Sequence, residues 1–285
     1  MLIAQITDCH VGFFRSDVGG ANTRRLRAAL DRLCDGPNRP DLLLMSGDLT
    51  EFGDAASYAR LADMLADLPF PVHLMVGNHD DRDALRAAFA GTPLEQGFVQ
   101  YVLPLPGLRL IALDALEPGR HGGAFCAARA EWLSDQLDAD PATPVVIAMH
   151  HPPFASGLDW LDGAEDAPWI ARFTAAIAGR PQVRAILAGH LHRTIHASVA
   201  GVPLTVCPPT APTVALDLNP IDPEQPDGRA MIADEPAAFA LHRWHGDRLV
   251  THFENLSAGP PWTALASYDA GMQELVRQNA RERRD

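Results

Sequence analysis

Leu42-Leu43-Leu44-Met45-Ser46-Gly47-Asp48 is the stretch whose reading decides the fold: four consecutive large apolar side chains run into a Gly-Asp pair. Apolar residues at successive positions, rather than at every second one, read as a strand buried on both faces, as in a parallel sheet covered by helices. Four other segments end in the same way. The largely apolar Leu2–Ile6 leads to Asp8-Cys9-His10, the shorter Leu74–Val76 to Gly77-Asn78-His79-Asp80, Val145–Met149 to His150-His151, and Ala185–Ala188 to Gly189-His190-Leu191-His192. The polar residues therefore stand where strands end and loops begin. In open α/β sheets ligands gather in the crevice outside the carboxyl ends of the strands, so these five distant segments are expected to converge.

The residue types point to metal chemistry. Two divalent ions about 3.5–4 Å apart can clamp a phosphoryl group, lower the pKa of a bound water and stabilise a leaving oxygen. Such a pair needs one shared anionic ligand, and the two oxygens of Asp48 suit that position. Asp8, His10 and His192 would complete one sphere; the amide oxygen of Asn78 with His150 and His190 would complete the other. His79 stands beside a ligand without being counted as one, which suits protonation or orientation of a leaving group. Mixed N/O ligation fits Mn, Fe, Zn or Co and does not choose among them.

Taken singly, each segment has a structural explanation. A Gly-Asp after a strand is most often a turn, and Asn78-His79-Asp80 could cap a helix beginning near Asp83. Taken in order, the five segments resemble the D-x-H, G-D, G-N-H-D/E, H and G-H-x-H pattern of the calcineurin-like metallophosphoesterase superfamily, carried entirely by residues 1–207. Asn78-His79-Asp80 together with His150-His151-Pro152-Pro153 is most similar to the class III cyclic-nucleotide phosphodiesterase and glycerophosphodiesterase branch. The resemblance implies the same ligand set, a metal-bridging hydroxide as nucleophile, His79 at the leaving group, and a homo-oligomer. One departure is Ala215, after Thr213-Val214, where the glycerophosphodiesterase pattern leads one to expect a substrate-binding His.

Composition narrows the partners. With 23 basic and 36 acidic residues the net charge is −13, and no long basic stripe is present to neutralise a nucleic-acid backbone. A polymeric nucleic acid is not an expected partner; a small phosphodiester is, since bound cations offset local acidity. No segment is long and apolar enough to span a membrane. The first strand starts at Leu2, leaving no room for an export signal, and Cys9, Cys34, Cys126 and Cys207 lack C-x-x-C spacing, so free thiols in the cytoplasm are expected. Arg277, Arg281, Arg283 and Arg284 read as a solvated tail, and Arg15, Arg24 and Arg193 as surface residues. His73, His121, His151, His196, His242, His245 and His252 are given no part in the chemistry. Of these, His73 reads as a buried strand residue, His151 as facing away from His150 if the strand persists, and His196 as a weak candidate for the pocket wall.

The apolar runs also organise the chain. Strands are expected at 2–6, 42–45 and 72–76 with helices at 22–34, 54–67 and 81–90. Strands at 98–103 and 108–113 are joined by a Pro104-Leu105-Pro106-Gly107 turn. Helices at 129–138 and 167–178 lead into strands 145–149 and 184–188, a hairpin at Ala200-Gly201 joins 195–199 to 202–207, and strands 212–216, 237–244 and 248–253 extend the second sheet. The expected architecture is α/β, a four-layer αββα sandwich with a small C-terminal elaboration: a catalytic domain at 1–254 and an extension at 255–285. Residues 152–168 are expected to pass near the metals, and 217–236, rich in Pro, Asp and Gly, reads as a long structureless loop serving as a lid, a subunit contact or a plainly mobile segment.

The resulting expectation is a binuclear metal-dependent phosphodiesterase acting on cyclic nucleotides or glycerophosphodiesters. A phosphomonoesterase, or a hydrolase promiscuous toward phosphonates and phosphotriesters, is the alternative within the enzyme class. An interaction scaffold stabilised by metal is the alternative outside it, and its mark, a lost ligand, is absent from the motifs.

Overall fold

A computed structural model describes residues 1–13, 20–256 and Gln273. The expected extension at 255–285 lies outside these apart from its first two residues and Gln273, as does Arg15. The order of elements begins β1 (Leu2–Ile6), α1 (Ala21–Asp35), β2 (Leu42–Ser46), α2 (Ala55–Leu65), β3 (Val72–Met75) and α3 (Arg82–Ala88). It continues with β4 (Tyr101–Leu105), β5 (Leu108–Leu113), α4 (Ala127–Ala139), β6 (Val145–Met149), α5 (Pro168–Ile177) and β7 (Val183–Ala188). Last come β8 (Ile195–Val199), β9 (Val202–Val206), β10 (Thr213–Val214), β11 (Ile232–Ala233), β12 (Ala238–His245) and β13 (Arg248–Asn255).

Two sheets stack face to face. One has the order β13-β12-β1-β2-β3 and the other β4-β5-β6-β7-β9-β8. The side chains of β2 explain its unbroken apolar run: Leu42 and Leu44 enter the core between the sheets, while Leu43 and Met45 face a second core beneath the helices. β6 divides likewise, with Val146 and Ala148 between the sheets and Val145, Ile147 and Met149 toward Phe173 and Leu133 of the outer helices. Three apolar cores thus separate four layers, as the strand pattern predicts. Helix starts follow local chemistry: Asp54 and Asp81 accept from the backbone N–H of Ser57 and Ala84, and Pro168 opens α5. Because Asp81 caps α3, Asn78 and Asp80 are left for other work.

Several expectations need correcting. β12 and β13 extend the first sheet, not the second, since β12 pairs antiparallel with β1 through Leu2↔Arg243 to Gln5↔Ala240. β4 starts three residues later than expected and runs through Pro104; only Pro106-Gly107 turns, between paired Leu105 and Leu108. Pro is tolerated there because β4 is an edge strand. The strand foreseen at 212–216 shrinks to β10, which pairs with β11 inside the loop expected to be structureless. That loop is further tied by Arg229, which donates to the carbonyls of Asn219 and Pro220. The Ala200-Gly201 hairpin is as read, with φ of +50° and +79°.

Candidate metal centre

All five motifs reach one end of the sandwich, where β1, β2, β3, β6 and β7 stop. The backbone there is held in unusual shapes: Asp8, His10, Asp48, His190 and His192 have positive φ, from +45° to +71°. Non-glycine residues rarely adopt this conformation, which persists where surrounding structure enforces it and gathers at functional sites. The enforcing contacts are visible. Asp8 N–H donates to Gly47 O, and both Cys9 and His10 N–H donate to Asp48 O, locking the first two loops together. A side chain at Gly77 would strike Asp48 and His150, its Cβ falling 2.7 Å from His150 Cδ2.

The predicted ligands come together. Among the described residues four groups of potential donor atoms lie within 4.8 Å of one another: Asp8-His10-His192, His10-Asp48-His79, Asp8-Asp48-His150 and His150-His151-His190. His192 Nε2 lies 3.3 Å from Asp8 Oδ1, His150 Nε2 3.2 Å from Asp48 Oδ2, and His10 Nε2 3.7 Å from Asp48 Oδ2. Asp8, Asp48 and His150 are buried and His10 nearly so.

Two features show that this donor set fits metal ions. The buried atoms Asn78 Oδ1 and His150 Nε2 have no hydrogen-bond partner, an arrangement native proteins avoid unless something else satisfies them. The outer imidazole nitrogens are engaged: Nδ1 of His150 with Ser46 O at 2.9 Å, of His192 with Pro212 O at 2.7 Å, and of His10 with Glu51 Oε2 at 2.7 Å. Partners of this kind fix the ring and turn Nε2 inward; the Nε2 atoms of His10 and His192 lie 3.0 Å apart, where a cation would be shared between them.

Electrostatics favour ionised carboxylates. Burial alone would raise the pKa values of Asp8 and Asp48, but His192 and His150 hold Asp8 below the carboxylate range, and His150 does the same for Asp48. Burial opposes protonation of His150, yet Asp48 and Asp8 raise it to about 9. His190 goes the other way, to about 3, through burial and the neighbouring His150. Asp80, pushed up to about 6 by burial and by Asp48, gathers the N–H groups of Leu49, Thr50 and Gly77 and the Tyr58 hydroxyl. It thereby holds the second and third loops in register.

Reasoning from sequence missed several neighbours. His151 was expected to face away, but β6 ends at Met149, alternation stops with it, and its ring lies 4.6 Å from that of His190. Glu51, three residues past Asp48, contacts His10 through its carboxylate and His79 Nδ1 through its carbonyl oxygen at 2.9 Å. His79 also donates its backbone N–H to Asp48 Oδ1. His121, from the Gly-rich 119–123 loop, reaches to 3.5 Å from Asn78 Nδ2. Gln5 donates to Ser46 Oγ and Ala188 O and is bonded to buried His242 at 2.9 Å, so it ties the two sheets together behind the site. His196 lies on β8 against Phe253, away from the pocket, and Arg193 is half-buried, donating to Val214 O.

The calcineurin-like phosphoesterase family model matches residues 1–194. The chain is a calcineurin-like phosphoesterase. A protein of Synechococcus named "probable cyclic nucleotide phosphodiesterase" is 36% identical to this phosphoesterase over 246 residues, covering 82% of this chain and 88% of its own. One of the same description from Rhodopseudomonas palustris is 34% identical over 263 residues, covering 88% and 91%. The phosphoesterase also shares its fold with a dimetal phosphatase from Danio rerio, at a TM-score of 0.64 and 16% identity, covering 90% of this chain and 96% of that one. No helix among the described residues is long and apolar enough to cross a membrane.

Proposed function

We propose that this phosphoesterase hydrolyses small phosphodiesters, cyclic nucleotides foremost, at a two-cation site. Asp8, His10, His192 and Asp48 would hold one divalent ion; Asp48, Asn78, His150 and His190 the other, with Mn, Fe, Zn or Co suited to this mixed set. When bound, the cations polarise the phosphoryl group and make water nucleophilic at neutral pH. The observation that carries the reading is the convergence of Nε2 atoms from His10, His150 and His192 on the two buried carboxylates. Names of the relatives at 34–36% identity support the choice of diester.

The chain's own residues do the rest. Glu51 O takes the Nδ1 side of His79, so its Nε2 is the nitrogen left to deliver a proton to the departing alkoxide. A quarter of the His79 side chain is exposed, enough to meet substrate. A phosphomonoester dianion asks for a further cation, whereas Arg82 beside the site is already bound by Asp114 at 2.6 and 2.7 Å. This favours the diester monoanion.

Initial rates on metal-loaded protein with bis(4-nitrophenyl) phosphate and 4-nitrophenyl phosphate test the reading. The diester should be cleaved faster, and Asp48→Asn should abolish turnover of both. A monoester preference would move the activity to a phosphatase, and two bound metals without turnover would favour a scaffold. Four free thiols suit a reducing cytoplasm. A homo-oligomer built on the arm at 215–236 is supported by exposed Leu216, Leu218 and Ile232; light scattering of wild type beside Leu218→Ser reads it, and a monomeric wild type rules it out.

A further inference from the structure

We infer that Gln5 and His242 are positioning residues of the two-cation centre: a buried hydrogen-bond network through them sets the distance between the ligand loops of the two sheets. The inference rests on the two-cation reading above and names what fixes its geometry. Gln5 and Ser46 fall on the inner faces of β1 and β2 by alternation from Ile3 and Leu44, and His242 shares that face on β12 with Trp244. Ile3, Leu44 and Trp244 belong to the apolar core between the sheets, so the three polar residues interrupt an otherwise apolar surface.

The acceptors settle the direction of every bond. Ala188 O can only accept, so Gln5 Nε2 faces it at 3.1 Å and gives its second hydrogen to Ser46 Oγ at 2.8 Å. Gln5 Oε1 therefore takes the Nε2–H of His242 at 2.9 Å, and the other ring nitrogen accepts from the Thr251 hydroxyl at 2.8 Å. Gln5, Ser46 and His242 are fully buried, and no hydrogen of the amide or the ring is left without an acceptor.

The two ends of the amide give the network its role. Ser46 closes β2 immediately before Gly47-Asp48, and its carbonyl oxygen accepts from His150 Nδ1 at 2.9 Å. Ala188 closes β7 immediately before Gly189-His190. One rigid planar group thus holds the strand ends that carry Asp48 and His190, and these strands belong to different sheets. Apolar contact between sheets is non-directional and does not by itself fix their offset. Stability alone does not call for the network, because replacing both partners of a buried hydrogen bond by apolar groups of the same shape is nearly neutral.

The test loads wild type, Gln5→Met, Gln5→Met/His242→Leu and Ser46→Ala with Mn²⁺. It reads affinity for the second ion by competition with a chelator, magnetic coupling of the two ions by electron paramagnetic resonance, and the urea midpoint. Gln5→Met strands the His242 N–H and should lower the midpoint; the double variant, apolar on both sides, should recover it. Both should bind the second Mn²⁺ about 10–100-fold more weakly, the usual worth of an outer partner, and both should show altered coupling. Ser46→Ala removes one of the two amide bonds and should show a smaller change in the same direction; it decides the outcome where the larger substitutions prevent folding. Recovery of affinity and coupling along with the midpoint in the double variant reduces the network to packing and overturns the inference, as does wild-type affinity and coupling in Gln5→Met or Ser46→Ala. A wild type that binds fewer than two Mn²⁺ ions overturns the parent reading instead, so the two failures are distinct.

Discussion

Glu51 shows how much of the centre depends on residues that would touch neither metal nor phosphorus. Its carboxylate fixes His10 and its carbonyl fixes His79, so one residue sets the ring orientation of a ligand and of the proton donor. Outer partners of this kind are worth about 10–100-fold in metal affinity or activity. Glu51→Ala is expected to lose that much in both metal affinity, by competition with a chelator, and kcat, with little change in far-UV circular dichroism. At this scale the sequence was highly legible: the candidate ligands Asp8, His10, Asp48, Asn78, His150, His190 and His192 all reach one end of the sheets. Glu51 and His151 escaped because no pattern marks them. Their proximity arises from loop geometry after the strands have ended, where the two-residue period no longer applies.

The elements around the site are pinned by buried polar contacts as well as by apolar packing. Asp114, fully buried at the end of β5, accepts from both Arg82 at the start of α3 and the backbone N–H groups of Val99 and Leu116. Removing one partner of a buried ion pair strands the other, at about 3–5 kcal/mol. Asp114→Ala should lower stability by that amount, read from the urea midpoint, and should raise KM because α3, which Arg82 opens, follows directly on the Asn78-His79 loop. A variant of unchanged midpoint would show the pair to be replaceable. Helices α1 to α5 were readable close to their observed bounds, although the cap of α3 proved to be Asp81, and β1, β2 and β6 were readable from continuous apolar runs. The partner of β12 was not. Its apolar start, Ala238 to Leu241, announces a buried strand, but pairing with β1 joins residues some 240 positions apart, and nothing local in either sequence names its partner. Pro104 misled for a related reason: its backbone suits a turn, yet an edge strand tolerates it equally well.

The whole molecule carries an acid-sensitive element at His242. Burial pushes its pKa down to about 3 from an ordinary 6.5, so the folded state keeps it neutral while the unfolded chain takes up a proton below pH 6.5. Its contribution is complete above pH 6.5 and is lost as pH falls toward 3. The loss by pH 5 is about 2 kcal/mol. Chemical denaturation of wild type and His242→Gln at pH 7.5 and 5 should show the smaller acid-induced drop in the variant; parallel slopes would contradict the assignment. A larger consequence follows from where the candidate ligands originate. Asp8, Asp48 and Asn78 lie beyond β1, β2 and β3 of one sheet, and His150, His190 and His192 beyond β6 and β7 of the other. Cations held by both groups would act as a rivet between the two halves of the fold, adding about 2.7 kcal/mol at a hundredfold excess over the dissociation constant, and chelation should lower Tm by several degrees. Metal supply would then govern how long each copy of the enzyme survives proteolysis, so that a starved cell loses the protein along with its turnover.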